Sequence, residues 1–171
     1  MYIDTSIRFN SNEIASLFEK SKEVGILSRY IQETQLPCFT DKKMFEWFGE
    51  TSKTFTEYKS AEANFIIIRN NFLTSLIMKA WITCALDESC ISPKFAHIYG
   101  SPLNWIFGCG ICGCHRFDQD ALTIVNSFFF GVPKDDEYFP CWALNPSETA
   151  SFEVRRRNVK KYIIDQMKII F

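Results

Sequence analysis

The sequence predicts a mixed α/β domain, a mixed or parallel sheet flanked by helices. Three observations lead there. Phe65-Ile66-Ile67-Ile68 is an unbroken apolar, β-branched run, the pattern of a strand buried on both faces. Phe72, Leu73, Leu76, Ile77, Ala80, Trp81, Cys84 and Ala85 then recur at helical spacing. Segments of these two kinds alternate along the chain, which favours layers of sheet and helix. At 171 residues the chain suits one domain, and 47% hydrophobic against 23% charged residues allow a packed core with a solvated surface.

Taken in order, residues 2–9 read as a strand running into a polar loop. Asn10 with Glu13 three residues later resembles a capping box. Ile14, Leu17, Phe18 and Val24 then share a helical face, and Gly25 is a natural stop. Ile26-Leu27 reads as a short strand. Thr40 caps a second helix with an apolar stripe of Met44, Phe45 and Phe48, ended by Gly49. Residues 50–60 read as a polar loop. Asn70 or Asn71 starts the long helix after the Phe65–Ile68 strand, and that helix ends near Cys90, before Pro93. Residues 92–114 carry Pro, Gly and Cys and read as irregular. Asp118 caps a further helix holding Ala121, Leu122 and Val125, and Phe128-Phe129-Phe130 follows as a strand start or as core. Residues 131–150 read as loop, and the chain from Phe152 on reads as an amphipathic helix. The expected organisation is a main unit over 1–150 and a C-terminal basic helix over 151–171.

The net charge is −1, so no global field holds a polyanion, and nucleic acid is not an expected partner. Arg155-Arg156-Arg157, with Lys160 and Lys161, reads as a solvated helix face. Seven cysteines leave at least one free, metal-bound or paired between chains, and their crowding suggests an oxidising compartment. Cys84 and Cys90 make a reasonable local pair if the helix ends between them; the rest of the connectivity stays open. Cys109, Cys112, Cys114 and His115 form C-x-x-C-x-C-H, but all four crowd into seven residues, whereas zinc sites favour two separated pairs. A small cysteine-rich zinc module is therefore one alternative identity. No apolar run is long enough to span a bilayer. Met1 leads into Tyr2-Ile3-Asp4 without a signal-peptide pattern, which is reconciled with the cysteines if the chain is part of a longer secreted or membrane-anchored protein.

Two segments carry chemistry. Asp4, in Tyr2-Ile3-Asp4-Thr5-Ser6, follows a hydrophobic strand, and it resembles the first aspartate of the D-x-D motif of GT-A glycosyltransferases. Clustered carboxylates there hold a Mn²⁺ or Mg²⁺ that neutralises the donor diphosphate. Ser6 stands where the second carboxylate belongs, so Asp4 alone is carried over as metal ligand, and Asp4 with Ser6 as the phosphate side. His115-Arg116-Phe117-Asp118-Gln119-Asp120-Ala121-Leu122 resembles the D-Q-D-x-L segment of family 8 glycosyltransferases. The resemblance places Asp118, Gln119 and Asp120 beside the transferred sugar, with His115 or Arg116 steadying phosphate. An aspartate at a helix start can accept a sugar hydroxyl, and an amide can stabilise charge without ionising. Lys79 to Leu86, then Cys90-Ile91-Ser92-Pro93, with Thr40 and Met44 upstream, is similar to an uncharacterised glycosyltransferase-like family abundant in nematodes and other invertebrates.

The resemblance covers Tyr2 to about Phe130. It implies a partial GT-A, Rossmann-like sheet flanked by helices, lacking the N-terminal donor-binding part. It implies a nucleotide-sugar donor and a glycan or protein hydroxyl as acceptor. With the cysteines, it implies the secretory pathway (Golgi lumen or extracellular space), with a membrane link only through a missing N-terminal anchor. A non-catalytic relative of the same fold is the second alternative, favoured by Ser6 and the absent donor half. Plainer roles stand beside these: Asp4 as a turn cap, Asp118 and Asp120 as first-turn charges complementing the helix dipole, His115 as structure, Trp81 as core.

Overall fold

A computed structural model describes residues 1–3, 7–9, 14–94, 96, 115–131, 143–144 and 152–154. The chain is mixed α/β. Strands β1 (Tyr2–Ile3), β3 (Ile26–Gln35), β4 (Lys59–Ile68) and β5 (Ala143–Leu144) form a sheet in the order β1-β4-β3-β5. β4 is antiparallel to both neighbours, with Ile3 opposite Phe65 and Ile26 opposite Ile68; β5 runs parallel to β3. Strands β2 (Ile7–Phe9) and β6 (Phe152–Val154) make a separate antiparallel pair. The helices are α1 (Ala15–Val24), α2 (Leu36–Phe39), α3 (Lys42–Trp47), α4 (Phe72–Ala85), α5 (Glu88–Ile91) and α6 (Phe117–Phe130), with a 3-10 turn at Ser52–Phe55.

β4 is the centre of the molecule. Ala61, Ala63 and Ile66 pack with Ile77 of α4 and with Leu122 and Val125 of α6. On the other face Phe65 and Ile67 pack with Ile7, Leu27 and Leu17 of α1. The apolar run therefore lies in a strand covered on both sides, as its composition requires. A third cluster, built on Leu36, Met44, Phe45, Phe55 and Tyr58, reaches Ala121 and Ile124 of α6. Sandwiched between these clusters, α6 is buried without a break from Asp120 to Ser127.

Local chemistry sets the ends of elements. Asn71 accepts from the Thr74 N–H at 2.9 Å while the Thr74 hydroxyl accepts from the Asn71 N–H at 3.1 Å, a reciprocal cap on α4. Gly25 ends α1 at φ 89°, and a Cβ there would come within 2.9 Å of Asn71 Nδ2 and Thr74 Cγ2. Only glycine meets both conditions, so the α1–β3 turn can nest against the α4 cap. Cys84 and Cys90 form a disulfide joining α4 to α5, and Cys38 is also disulfide-bonded.

Several expectations are corrected. Ile26-Leu27 opens a ten-residue strand, not a brief one. Its polar second half masks it, and register shifts after Ser28 and Tyr30 break the two-residue alternation. β4 starts at Lys59, inside the segment read as loop; its small Ala61 and Ala63 fit against α6. The cap of α3 is Asp41, accepting from the Lys43 N–H at 2.8 Å, and Thr40 lies one residue before it. α6 begins at Phe117 with Arg116 in the capping position, so Asp118 sits in the first turn, and the Phe128–Phe130 run completes the helix. Phe152–Val154 is a strand, not the start of a helix. The Asn10–Glu13 box and the Cys109–Cys114 run lie outside the described residues. Among the described residues, no helix is long and apolar enough to cross a membrane.

Candidate functional site

The residues at the start of α6 converge on one corner. Phe117 has φ 43°, in the left-handed region that a non-glycine residue enters at a cost of about 1–3 kcal/mol. Surrounding bonds hold that conformation. The Arg116 N–H lies 3.2 Å from the Phe39 carbonyl and 2.9 Å from Asp120 Oδ2, donating to both. The Arg116 guanidinium stacks over the Phe39 ring, 5.1 Å from its centroid. The Phe117 ring meets the His115 imidazole edge-on at 4.9 Å. On β4, the Ala61 N–H donates to the Thr123 hydroxyl at 3.0 Å, fixing the next turn of α6 to the sheet.

His115 is fully buried. Its Nδ1 accepts from the Asp41 N–H at 3.2 Å, and its Nε2 lies 3.1 Å from the Ile91 carbonyl. A carbonyl can only accept, so the ring is the neutral Nε2–H tautomer. Burial holds its pKa below the ordinary value, against upward pulls from the Ile91 carbonyl and the Asp41 charge. Asp120, also fully buried, places Oδ2 3.5 Å from His115 Nδ1, and its Oδ1 lies 3.5 Å from the Ser60 hydroxyl. Burial pushes its carboxyl up to about 8, aided by the Asp118 charge and opposed by the Arg116 N–H, the Thr40 hydroxyl and the Arg116 charge. The Thr40 hydroxyl acts by proximity, without completing a hydrogen bond of ordinary geometry. Asp120 is therefore a neutral acid at pH 7.

Asp118 points the other way. It is exposed, and its own carbonyl accepts the Trp81 indole N–H at 2.9 Å. Packing around it still raises its carboxyl above the ordinary range, with backbone hydrogen bonds opposing the shift. Near it in the sequence, Arg116 Nε and Gln119 Nε2 are sheltered from solvent and, among the described residues, have no hydrogen-bond partner. Unpaired buried donors cost free energy, and they are expected where a ligand supplies the acceptor. The corner thus combines one exposed carboxyl with two sheltered N–H donors that have no partner among the described residues.

The segment expected to form the site divides in two. Asp118 carries the exposed carboxyl and Arg116 and Gln119 the sheltered, unpartnered donors, whereas His115 and Asp120 are fully buried. Asp4 and Ser6 lie outside the described residues; β1 stops at Ile3. A hard divalent cation needs several oxygen ligands. Asp118 is the one exposed carboxylate at this corner and Asp120 is neutral, so the described residues do not fit a metal site by themselves. Both His115 nitrogens are engaged, so the ring is not free for zinc. The sequence reading missed Asp41, Phe39, Ser60 and Ile91. Three of these, Phe39, Asp41 and Ile91, act through backbone atoms, which no side-chain pattern reveals, and Trp81, read as core, is also the donor that fixes Asp118. No family model, curated protein or solved structure matches this chain.

Proposed function

We propose that the chain is a glycosyltransferase-like domain acting on a nucleotide sugar, with the start of α6 as its sugar-facing corner. The observation that carries this reading is an exposed Asp118 carboxyl on the same turn as the sheltered, unpartnered N–H donors of Gln119 and Arg116. A sugar offers hydroxyls that both donate and accept, and a diphosphate offers acceptors alone. Asp118 would accept a sugar hydroxyl, the Gln119 amide would donate to a hydroxyl or ring oxygen, and Arg116 would face phosphate oxygens. In this reading Asp120 and His115 position the turn and do not touch sugar. A GT-A arrangement, an acceptor on a glycan or protein, and a place in the secretory pathway belong to the same proposal, with the disulfides as support for the last.

The test is donor turnover. The chain is incubated with a panel of UDP-, GDP- and CMP-sugars, with and without Mn²⁺, and released nucleotide is measured. Release with one donor, lost in Asp118→Asn and Gln119→Ala, is the expected result. A second reading, a binding-only relative of the same fold, is favoured by the inward turn of Asp120 and His115, which leaves one carboxylate at the corner. Binding of a nucleotide sugar without release selects it; neither binding nor release removes both.

A further inference from the structure

We propose that His115 and Asp120 form a proton latch: one proton held between these two buried side chains fastens the first turn of α6 to the α2–α3 corner and the end of α5, and its loss loosens that turn. The latch stands apart from the sugar-transfer reading and needs no ligand.

The geometry requires the proton. His115 Nε2–H is committed to the Ile91 carbonyl, and Nδ1 uses its lone pair on the Asp41 N–H. Asp120 Oδ2 faces that same Nδ1 at 3.5 Å. Two fully buried, lone-pair-bearing atoms repel unless one of the groups carries a hydrogen, and the Asp120 carboxylic acid supplies it. Three elements meet at the pair: the α2–α3 corner through the Asp41 N–H, α5 through the Ile91 carbonyl and α6 through Asp120. Around it, Asp41 and Asp118 contribute negative charge and Arg116 positive charge. β4 presents the uncharged Ser60 hydroxyl, and α4 packs on α6 with the apolar Ile77 and Trp81. Ionising Asp120 would place a carboxylate beside the Nδ1 lone pair with only the Arg116 N–H and weak hydroxyl contacts to hold it. The Arg116 N–H is the same group that ties α6 to Phe39.

The pH dependence follows from counting protons. Unfolded, Asp120 loses its proton near 3.8 and His115 near 6.5; folded, Asp120 keeps its proton to about 8. Below 6.5 the unfolded pair also holds a proton, on His115, so the slope from this corner fades. Above 6.5 the folded pair holds one more, so stability falls as pH rises and levels off beyond about 8.

Urea denaturation of the full chain, disulfides intact, from pH 5.5 to 8.5 tests the latch. The folding equilibrium constant is expected to fall about tenfold per pH unit above 6.5, on the order of 30-fold in all. Asp120→Asn cannot ionise; its amide can serve only one of the two contacts that Oδ2 makes, to Nδ1 or to the Arg116 N–H, but it should abolish the decline. A flat wild-type profile, or an unchanged decline in Asp120→Asn, overturns the proposal. If that variant does not fold, ¹⁵N shifts of the His115 ring in the wild type decide. A neutral Nε2–H ring across the whole range supports the latch, and ordinary titration near 6.5 or an Nδ1–H ring overturns it.

Discussion

Asn126 lies fully buried in α6, and among the described residues neither atom of its amide has a hydrogen-bond partner. Each buried polar group left unpaired costs about 1–3 kcal/mol. Asn126→Leu keeps nearly the same shape and removes both, so urea denaturation should show a gain of about 1–3 kcal/mol; a loss would mean that the amide serves a partner. Residues of this kind are invisible in a sequence. The same limit applies at the start of α6. Arg116-Phe117-Asp118-Gln119-Asp120 reads as a polar helix start, and Asp118 and Asp120 look equivalent on paper. What separates them is the bend at Phe117, which sends Asp120 under the Arg116 N–H and leaves Asp118 outside. Gly25 was readable because a left-handed stop is a property of the residue itself; its tight contact with the α4 cap was not.

At the scale of elements, the Cys84–Cys90 disulfide secures the α4–α5 corner, whose Ile91 carbonyl holds His115. Trp47 adds a second tie, its indole N–H donating to Asp87 at 2.9 Å. That contact, after the Ser89 hydroxyl, holds the Asp87 carboxyl below its ordinary range. Closing so short a loop restricts the unfolded chain by about 2 kcal/mol. A Cys84→Ala/Cys90→Ala double variant should therefore lose at least about 2 kcal/mol in urea denaturation. It should also speed exchange of the Asp41 amide, which donates to His115. Unchanged stability would show that packing alone holds the corner. Elements with a strong period were legible: the Phe65–Ile68 strand, and α4 from its Asn71 start, although α4 stops at Ala85 and not near Cys90, which belongs to the separate α5. Those completed by tertiary pairing were not. The outer half of β3 is polar and irregular in register, and β6 is only three residues long and is defined by its pairing with β2.

Across the molecule, the sheet-and-helix class follows from the alternation of strand and helix patterns, but the order and direction of strands do not. The sheet is mixed, one of the two forms expected: an antiparallel β1-β4-β3 core with, among the described residues, the short β5 parallel to β3. The segment linking β3 to β4 folds into α2, α3 and a 3-10 turn whose apolar cluster braces α6. This placement gives the α6 start its two aspects: an inward face built from His115 and Asp120, and an outward one built from Arg116, Asp118 and Gln119. In the proposed reading, the outward face is the one that meets a nucleotide sugar.

Thermal melting with a panel of nucleotide sugars, with and without Mn²⁺, tests that central claim most directly. A ligand that binds only the folded chain stabilises it by about 2.7 kcal/mol at a hundredfold excess over Kd. The expected result is a rise in Tm with one nucleotide sugar that Asp118→Asn abolishes while leaving the unliganded Tm in place. No rise with any member of the panel, or a rise that survives Asp118→Asn unchanged, would contradict a sugar-facing corner at the start of α6.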